Sequence, residues 1–156
     1  MLKENVKNGW HDFCRWLCKI FCRTFFRMKV YGLENIPPEG PFVLLCNHQS
    51  YLDPVFCGIS LKRRLYYLAR DSLYKNPIFS KILLSVRTIP IRRGSADLSA
   101  IRTAIEKLKA GQPVCLFPEA TRTNDGKISA LKPGVSLVSR RSKSPVIPAV
   151  VDGAFE

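Results

Sequence analysis

Five short apolar runs, separated by segments of helical periodicity, constrain this chain more than any other feature of its sequence. The runs occupy residues 41–46, 65–69, 88–91, 114–117 and 146–151. Each is too short for a buried helix and is bounded by turn residues, so each reads as a strand buried on both faces. Between them, residues 54–61, 73–85, 97–110 and 134–141 place apolar residues at helical spacing. Asp53 stands where an N-cap of the first of these helices is expected. Asp97 is the expected cap of the third and Gly111 its stop. Pro90 inside the third run suggests an edge position or an irregular strand. Strands alternating with helices give an α/β domain with a mostly parallel sheet flanked by helices.

Ahead of this domain lies a different pattern. Lys3, Lys7, His11, Arg15, Lys19, Arg23 and Arg27 recur every four residues, with Trp10, Phe13, Trp16, Leu17, Ile20, Phe21, Phe25 and Phe26 between them. Four-residue spacing keeps neighbours on one side of a helix. A basic group at every turn is incompatible with a comfortable bilayer span, which needs roughly 20 predominantly apolar residues. The segment therefore reads as a helix lying in a membrane interface, with residues 3–29 on an anionic surface. The alternative is an ordinary amphipathic helix packed on the domain, which would need a substantial groove for its aromatics. Residues 1–30 form this helix and residues 31–156 the α/β domain, joined through the Gly- and Pro-rich stretch 32–40.

Lysine and arginine number 25 against 12 acidic residues, a net charge of +13. That surplus favours anionic partners: lipid headgroups, phosphorylated substrates, acidic proteins or nucleic acid. The basic clusters 62–64 and 140–143 accompany no nucleic-acid-binding motif, and no nucleic-acid partner is expected. The six cysteines include no Cys-x-x-Cys pair, and His11 and His48 are the only imidazoles, so no metal site is expected. Cys46 and Cys115 sit in apolar runs as small hydrophobes. Cys14, Cys18 and Cys22 also step by four; they read as small apolar helix residues, with reversible palmitoylation as the alternative. No apolar stretch with a cleavage site follows Met1, so no signal peptide is expected. The expected location is a membrane surface on the cytoplasmic side.

Three polar clusters follow predicted strands. In Asn47-His48-Gln49-Ser50-Tyr51-Leu52-Asp53, a histidine lies just past a buried strand, where α/β sheets place reactive groups. If the loop turns back, Asp53 can accept from one ring nitrogen and leave the other as a base; a structural His beside an N-cap Asp is the competing reading. In Phe117-Pro118-Glu119-Ala120-Thr121-Arg122-Thr123, Glu119 can hold a hydroxyl, while Thr121 and Arg122 can donate to phosphate oxygens. Residues 88–94 end in Arg92-Arg93-Gly94, which alone is a basic patch.

Taken in order, Asn-His-x-x-x-x-Asp, Ile-Pro-Ile-x-Arg, Phe-Pro-Glu-x-Thr-Arg and Val-Ile-Pro-Ala-Val-Val resemble the four blocks of the glycerolipid acyltransferases. The likeness is greatest to the 1-acyl-glycerol-3-phosphate (lysophosphatidate) branch and covers residues 30–152. It implies transfer of an acyl group from acyl-CoA or acyl-carrier protein to lysophosphatidate, without a further cofactor or covalent acyl-enzyme. By the resemblance His48 is the base and Asp53 orients it; Arg93 and Arg122 bind phosphate and Glu119 holds the acceptor. Thr121, Asn47 and Arg70 complete the substrate-binding set. Other lysolipid acceptors and either donor fit the same blocks, and a non-catalytic anionic-membrane-binding protein is the alternative of a different class. Two positions depart from the pattern: Ala120 and Arg87 stand where the blocks usually carry glycine. The inference for Ala120 is that its position tolerates a Cβ. Relatives continue for several elements past the fourth block, so the chain is expected to be either a compact member or one lacking C-terminal elements.

Overall fold

A computed structural model describes residues 2–92 and 97–155. The order along the chain is α1 (Leu2–Phe25), β1 (Val43–Cys46), α2 (Asp53–Ser60), β2 (Tyr66–Arg70), α3 (Pro77–Ser85) and β3 (Thr88–Ile91). Then come α4 (Leu98–Lys109), β4 (Val114–Leu116), α5 (Gly134–Ser142) and β5 (Val146–Ala149). Neighbouring strands all pair in parallel, in the order β3-β2-β4-β1-β5. The chain thus adopts the expected α/β architecture. Both proline-bearing strands lie at edges: β3 carries Pro90 and β5 carries Pro148, where a missing N–H interrupts no central ladder.

The inner strands β1 and β4 bury both faces because their side chains alternate between two cores. The edge strand β5, expected to be buried on both faces, exposes Val146 and Pro148, which no further strand or helix covers among the described residues. Leu44, Cys46 and Cys115 face one core with Cys57 and Leu61 of α2 and its C-terminus. Val43, Val114 and Leu116 face the other with Ala100, Ala104 and Leu108 of α4 and Val138 of α5. The helix after β1 therefore covers one face and the helix after β4 the other. Their strands are neighbours, so the loops leaving β1 and β4 part in opposite directions at the C-terminal edge of the sheet. Such a divergence opens a crevice.

Local chemistry sets the boundaries. Asn76 caps α3, its Oδ1 accepting from the amides of Ile78 and Phe79 at 3.0 Å each, with Pro77 in the first turn. The expected single helix over 73–85 is therefore two pieces, a 3-10 turn at Asp71–Tyr74 and α3 proper. Asp97 caps α4 as expected, through the amides of Ser99 and Ala100 at 3.1 Å. Asp53 does not cap α2. It is the first residue of that helix, Leu52 occupies the cap position, and the Asp53 carboxylate turns back onto the preceding loop.

The N-terminal helix ends at Phe25, short of residue 29, and the following chain lines a groove beside β5. Its orientation reverses the usual one. The side that docks mixes small and polar residues. Cys22 is fully buried and Cys14 and Cys18 half-buried, Asp12 receives two bonds from Arg64 at 3.0 and 2.6 Å, and Trp10 donates to Ser85 at 2.9 Å. Arg15 donates to the Leu61 and Lys62 carbonyls, serving the orphan acceptors at the end of α2. Arg15 is thus occupied by protein and does not face a headgroup. Trp10, Phe13, Trp16, Leu17, Ile20, Phe21 and Phe25 are exposed, Trp16 at 56%. No groove receives them. On α3 no residue is fully buried, and Ile78, Phe79, Ile82 and Leu84 are exposed as well. Among the described residues, no helix is long and apolar enough to cross a membrane.

Two non-glycine residues at the departures noted above, Arg87 and Ala120, have left-handed backbones, with φ of 64° and 57°. Ala120 thus occupies a conformation that costs an L-residue about 1–2 kcal/mol. Ala120→Gly is expected to stabilise the fold by about 0.5–1 kcal/mol after the entropy cost of glycine, raising Tm by roughly 1–3 °C. An unchanged or lower Tm would contradict the strain. Asp97 is pulled down to about 2 by the Ser99 hydroxyl, then the Arg92 and Ala100 amides, from its ordinary 3.8. A depressed carboxylate stabilises above its unfolded pKa and loses that contribution as pH falls. Between pH 4 and 2, chemical denaturation of Asp97→Asn should therefore show a shallower loss of stability than the parent chain.

Candidate active site

The loop leaving β1 is folded around one carboxylate oxygen. Asp53 is fully buried, and its Oδ2 accepts from the Gln49 amide at 2.7 Å, the Ser50 amide at 2.8 Å and His48 Nδ1 at 2.8 Å. The two amides would otherwise be unpaired in a tight turn, so the carboxylate both shapes the loop and finds the imidazole. Bonding to an acceptor fixes the proton on Nδ1 and leaves Nε2 with a free lone pair. Among the described residues no protein group bonds Nε2. The ring lies on Phe117, 4.3 Å between centroids and 26° from parallel, so the end of β4 sets its tilt.

A second buried carboxylate joins this loop to the one leaving β4. Glu119 is 2% exposed; its Oε1 accepts from the His48 amide at 2.8 Å and its Oε2 from the Ser129 amide at 2.9 Å. The Thr123 amide donates to the His48 carbonyl at 2.8 Å, so the backbone of His48 is held on both sides. Gln49 Nε2 donates to the Gly126 carbonyl at 3.2 Å. The resemblance implies an acceptor-holding role for Glu119; in the structure each of its carboxylate oxygens accepts from a backbone amide. Thr123, Ser129 and Gln49 were not anticipated as contributors. Their part is carried by main-chain groups or an amide tip, for which residue type gives little signal.

The other predicted residues fall in three groups. Arg122 is brought to the site, its guanidinium 3.4 Å above the ring centroid of Tyr51 in the His48 loop. Asn47 is beside it in sequence, but its side-chain amide is spent on Val151, donating to the carbonyl and accepting from the N–H at 2.8 Å each. It lengthens the β1–β5 pairing by one side chain and is turned from the loop mouth. Thr121 is exposed at the loop tip, and Arg70 is exposed at the end of β2, two strands from β1. Arg93 lies outside the described residues.

A groove of about 1060 Å³ opens beside this loop. Ser50 and Leu52 form its border with the His48 loop, and Leu44, Phe56, Leu61 and Ile147 line it. Cys46, Cys57 and Cys115 lie in the core beneath, and the thiols of Cys46 and Cys57 are pushed far up. For Cys46 the cause is the bond to Cys57 and then burial; for Cys57 it is the bond to Cys115 and then burial. Such thiols are protonated and inert. A histidine with an orienting carboxylate, a nearby guanidinium and a groove lined in part by apolar side chains together suit deprotonation of a hydroxyl on an anionic, chain-bearing molecule.

The acyltransferase family model matches residues 27–152. A curated 1-acyl-sn-glycerol-3-phosphate acyltransferase of Bacillus subtilis is 31% identical over 144 residues, 92% of this chain and 71% of that protein. The protein of the same name from Pseudomonas aeruginosa is 33% identical over 146 residues, 92% of this chain and 55% of its own length. The crystal structure of the 1-acyl-sn-glycerophosphate acyltransferase PlsC from Thermotoga maritima superposes with a TM-score of 0.82 at 28% identity. That match covers 98% of this chain and 62% of the other. The chain belongs to the acyltransferase family, in the branch of the 1-acyl-sn-glycerol-3-phosphate acyltransferases.

Proposed function

We propose that this chain carries the acyl-transfer site of a lysophosphatidate acyltransferase, moving a fatty acyl group from a thioester to the free hydroxyl of 1-acyl-glycerol-3-phosphate. The observation that carries this reading is His48, with Nδ1 fixed 2.8 Å from Asp53 and Nε2 bonded to no group among the described residues, in a loop whose Ser50 and Leu52 border a groove. Nε2 takes the hydroxyl proton as the oxygen attacks the thioester carbonyl. The C–O bond forms, the C–S bond breaks, and the imidazolium returns its proton to the departing thiolate. Arg122 receives the acceptor phosphate, and the groove takes an acyl chain. The donor is an acyl-CoA or an acyl-carrier protein, both of which present phosphate to a basic surface.

The outward aromatics of α1 support docking at an anionic bilayer. A contiguous apolar face on a soluble surface calls for a lipid or protein partner. Arg23, Arg27 and Lys29, exposed at the end of that helix and just past it, supply charge for headgroups. In this reading the exposed apolar residues of α3 lie near the same surface, because Trp10 bonds the last turn of that helix.

The decisive measurement is acyl transfer from labelled thioester to lysophosphatidate. His48→Ala and Asp53→Asn are each expected to lower kcat by about 10²–10⁴-fold, the second through loss of the fixed tautomer. Transfer at the parental rate by His48→Ala would remove the assignment, and parental chain that binds vesicles without transferring would favour a lipid-binding protein. Flotation with vesicles containing anionic lipid tests the docking face. Trp16→Ser combined with Phe21→Ser should weaken binding by about 10-fold or more with Tm unchanged, since two inserted aromatics are lost. Parental binding by the double variant would rule out α1 as the docking face.

A further inference from the structure

The proposed phosphate reading leaves open what holds Arg122 in place, and the answer lies in the other loop. Arginine has three flexible methylenes before its planar head, and an unrestrained guanidinium gives up rotamer freedom when it binds an anion. Arg122 is partly exposed, and among the described residues its N–H groups donate to no protein acceptor. Its one described contact is the face of Tyr51, at 3.4 Å from guanidinium carbon to ring centroid. A stack of this kind uses the π face of the cation and none of its five in-plane donors. Tyr51 is 75% exposed, so its ring is not explained by packing in either core. It sits two residues before Asp53, in the loop that Asp53 and Glu119 hold by its amides. The ring therefore stands on the most tightly bonded segment of the site.

We propose that Tyr51 is a positioning residue for the acceptor phosphate: it holds the guanidinium of Arg122 flat and directs its N–H fork at the phosphate oxygens. This rests on the reading of Arg122 as a phosphate ligand. The stack adds a side-chain link between the two loops beside the backbone bond from the Thr123 amide to the His48 carbonyl. Its ligand is the phosphomonoester of a glycerol headgroup. The aromatic face, not the phenol hydroxyl, is what the role needs, so phenylalanine suffices and an aliphatic side chain of similar bulk does not.

The test uses the full chain, sn-glycerol 3-phosphate as the probe, and the arginine Nε–H resonances in a nitrogen–proton correlation spectrum. The Arg122 signal, assigned by its loss in Arg122→Ala, is expected upfield in the parent because of the Tyr51 ring current. It stays there in Tyr51→Phe and moves downfield in Tyr51→Leu. Titration should give a Kd raised about 2–5-fold in Tyr51→Leu, the scale of an exposed cation–π contact, and a parental Kd in Tyr51→Phe. Parental affinity in Tyr51→Leu, or equal weakening by Phe and Leu, overturns the proposal. Parental affinity in Arg122→Ala overturns the phosphate reading and the proposal with it, a pattern distinct from failure of Tyr51 alone. High exposure of Tyr51 makes these variants fold, and unchanged backbone resonances away from the loop verify it.

Discussion

The site depends on the need of buried backbone amides for acceptors. Two carboxylates, Asp53 and Glu119, enter a region where an uncompensated charge would cost several kcal/mol, and each is accepted because main-chain N–H groups meet it. Asp53 gathers residues 48–50 around itself, and Glu119 holds residues 48 and 129. Both converge on His48, whose carbonyl is taken by Thr123. The imidazole is thus placed by a bonded backbone, with its own bond to Asp53 as the last link. Removing either carboxylate would release several amides at once, which is why the pair behaves as a frame for the loop and not as two independent contacts.

That frame is available only because β1 and β4 are neighbours with helices on opposite faces. The two loops leave the same edge of the sheet and diverge, and the interval between them holds His48 and Glu119. Arg122 and Tyr51 lie further out along the same pair of loops. Sheet order sets which loops can meet; the carboxylates set how they meet. A groove runs from Ser50 and Leu52 of the same loop toward β5, with Leu44, Phe56, Leu61 and Ile147 among its lining residues.

Much of this was legible in the sequence where the information is local. Short apolar runs marked the strands, Pro90 marked an edge, and Asp97 and Gly111 bracketed α4. The His48–Asp53 contact was legible too, because five residues of loop suffice to close it. What escaped was long-range. Glu119 and Asn47 are polar residues in recognisable motifs, yet their partners are His48, 71 positions away, and Val151, 104 positions away. Residue type advertises a donor or acceptor without saying whether it is spent on substrate or on backbone. Asp53 was read as a helix cap because caps are what aspartate before proline usually supplies; the loop's amides outcompeted that use. For α1, periodicity separated an aromatic side from a basic one but could not say which faces protein. Arg64 and the end of α2 decided it, by offering Asp12 and Arg15 better partners than solvent.

The reversed seating of α1 also governs how the molecule behaves in a test tube. A chain that turns Trp10, Phe13, Trp16, Leu17, Ile20 and Phe21 outward meets water with a surface that water does not favour. Its net charge of +13 keeps copies apart at low ionic strength, and added salt removes that protection while strengthening apolar association. Colloidal stability of the purified protein is therefore set by detergent and salt more than by the folded core, and its apparent size in solution reports on the N-terminal helix.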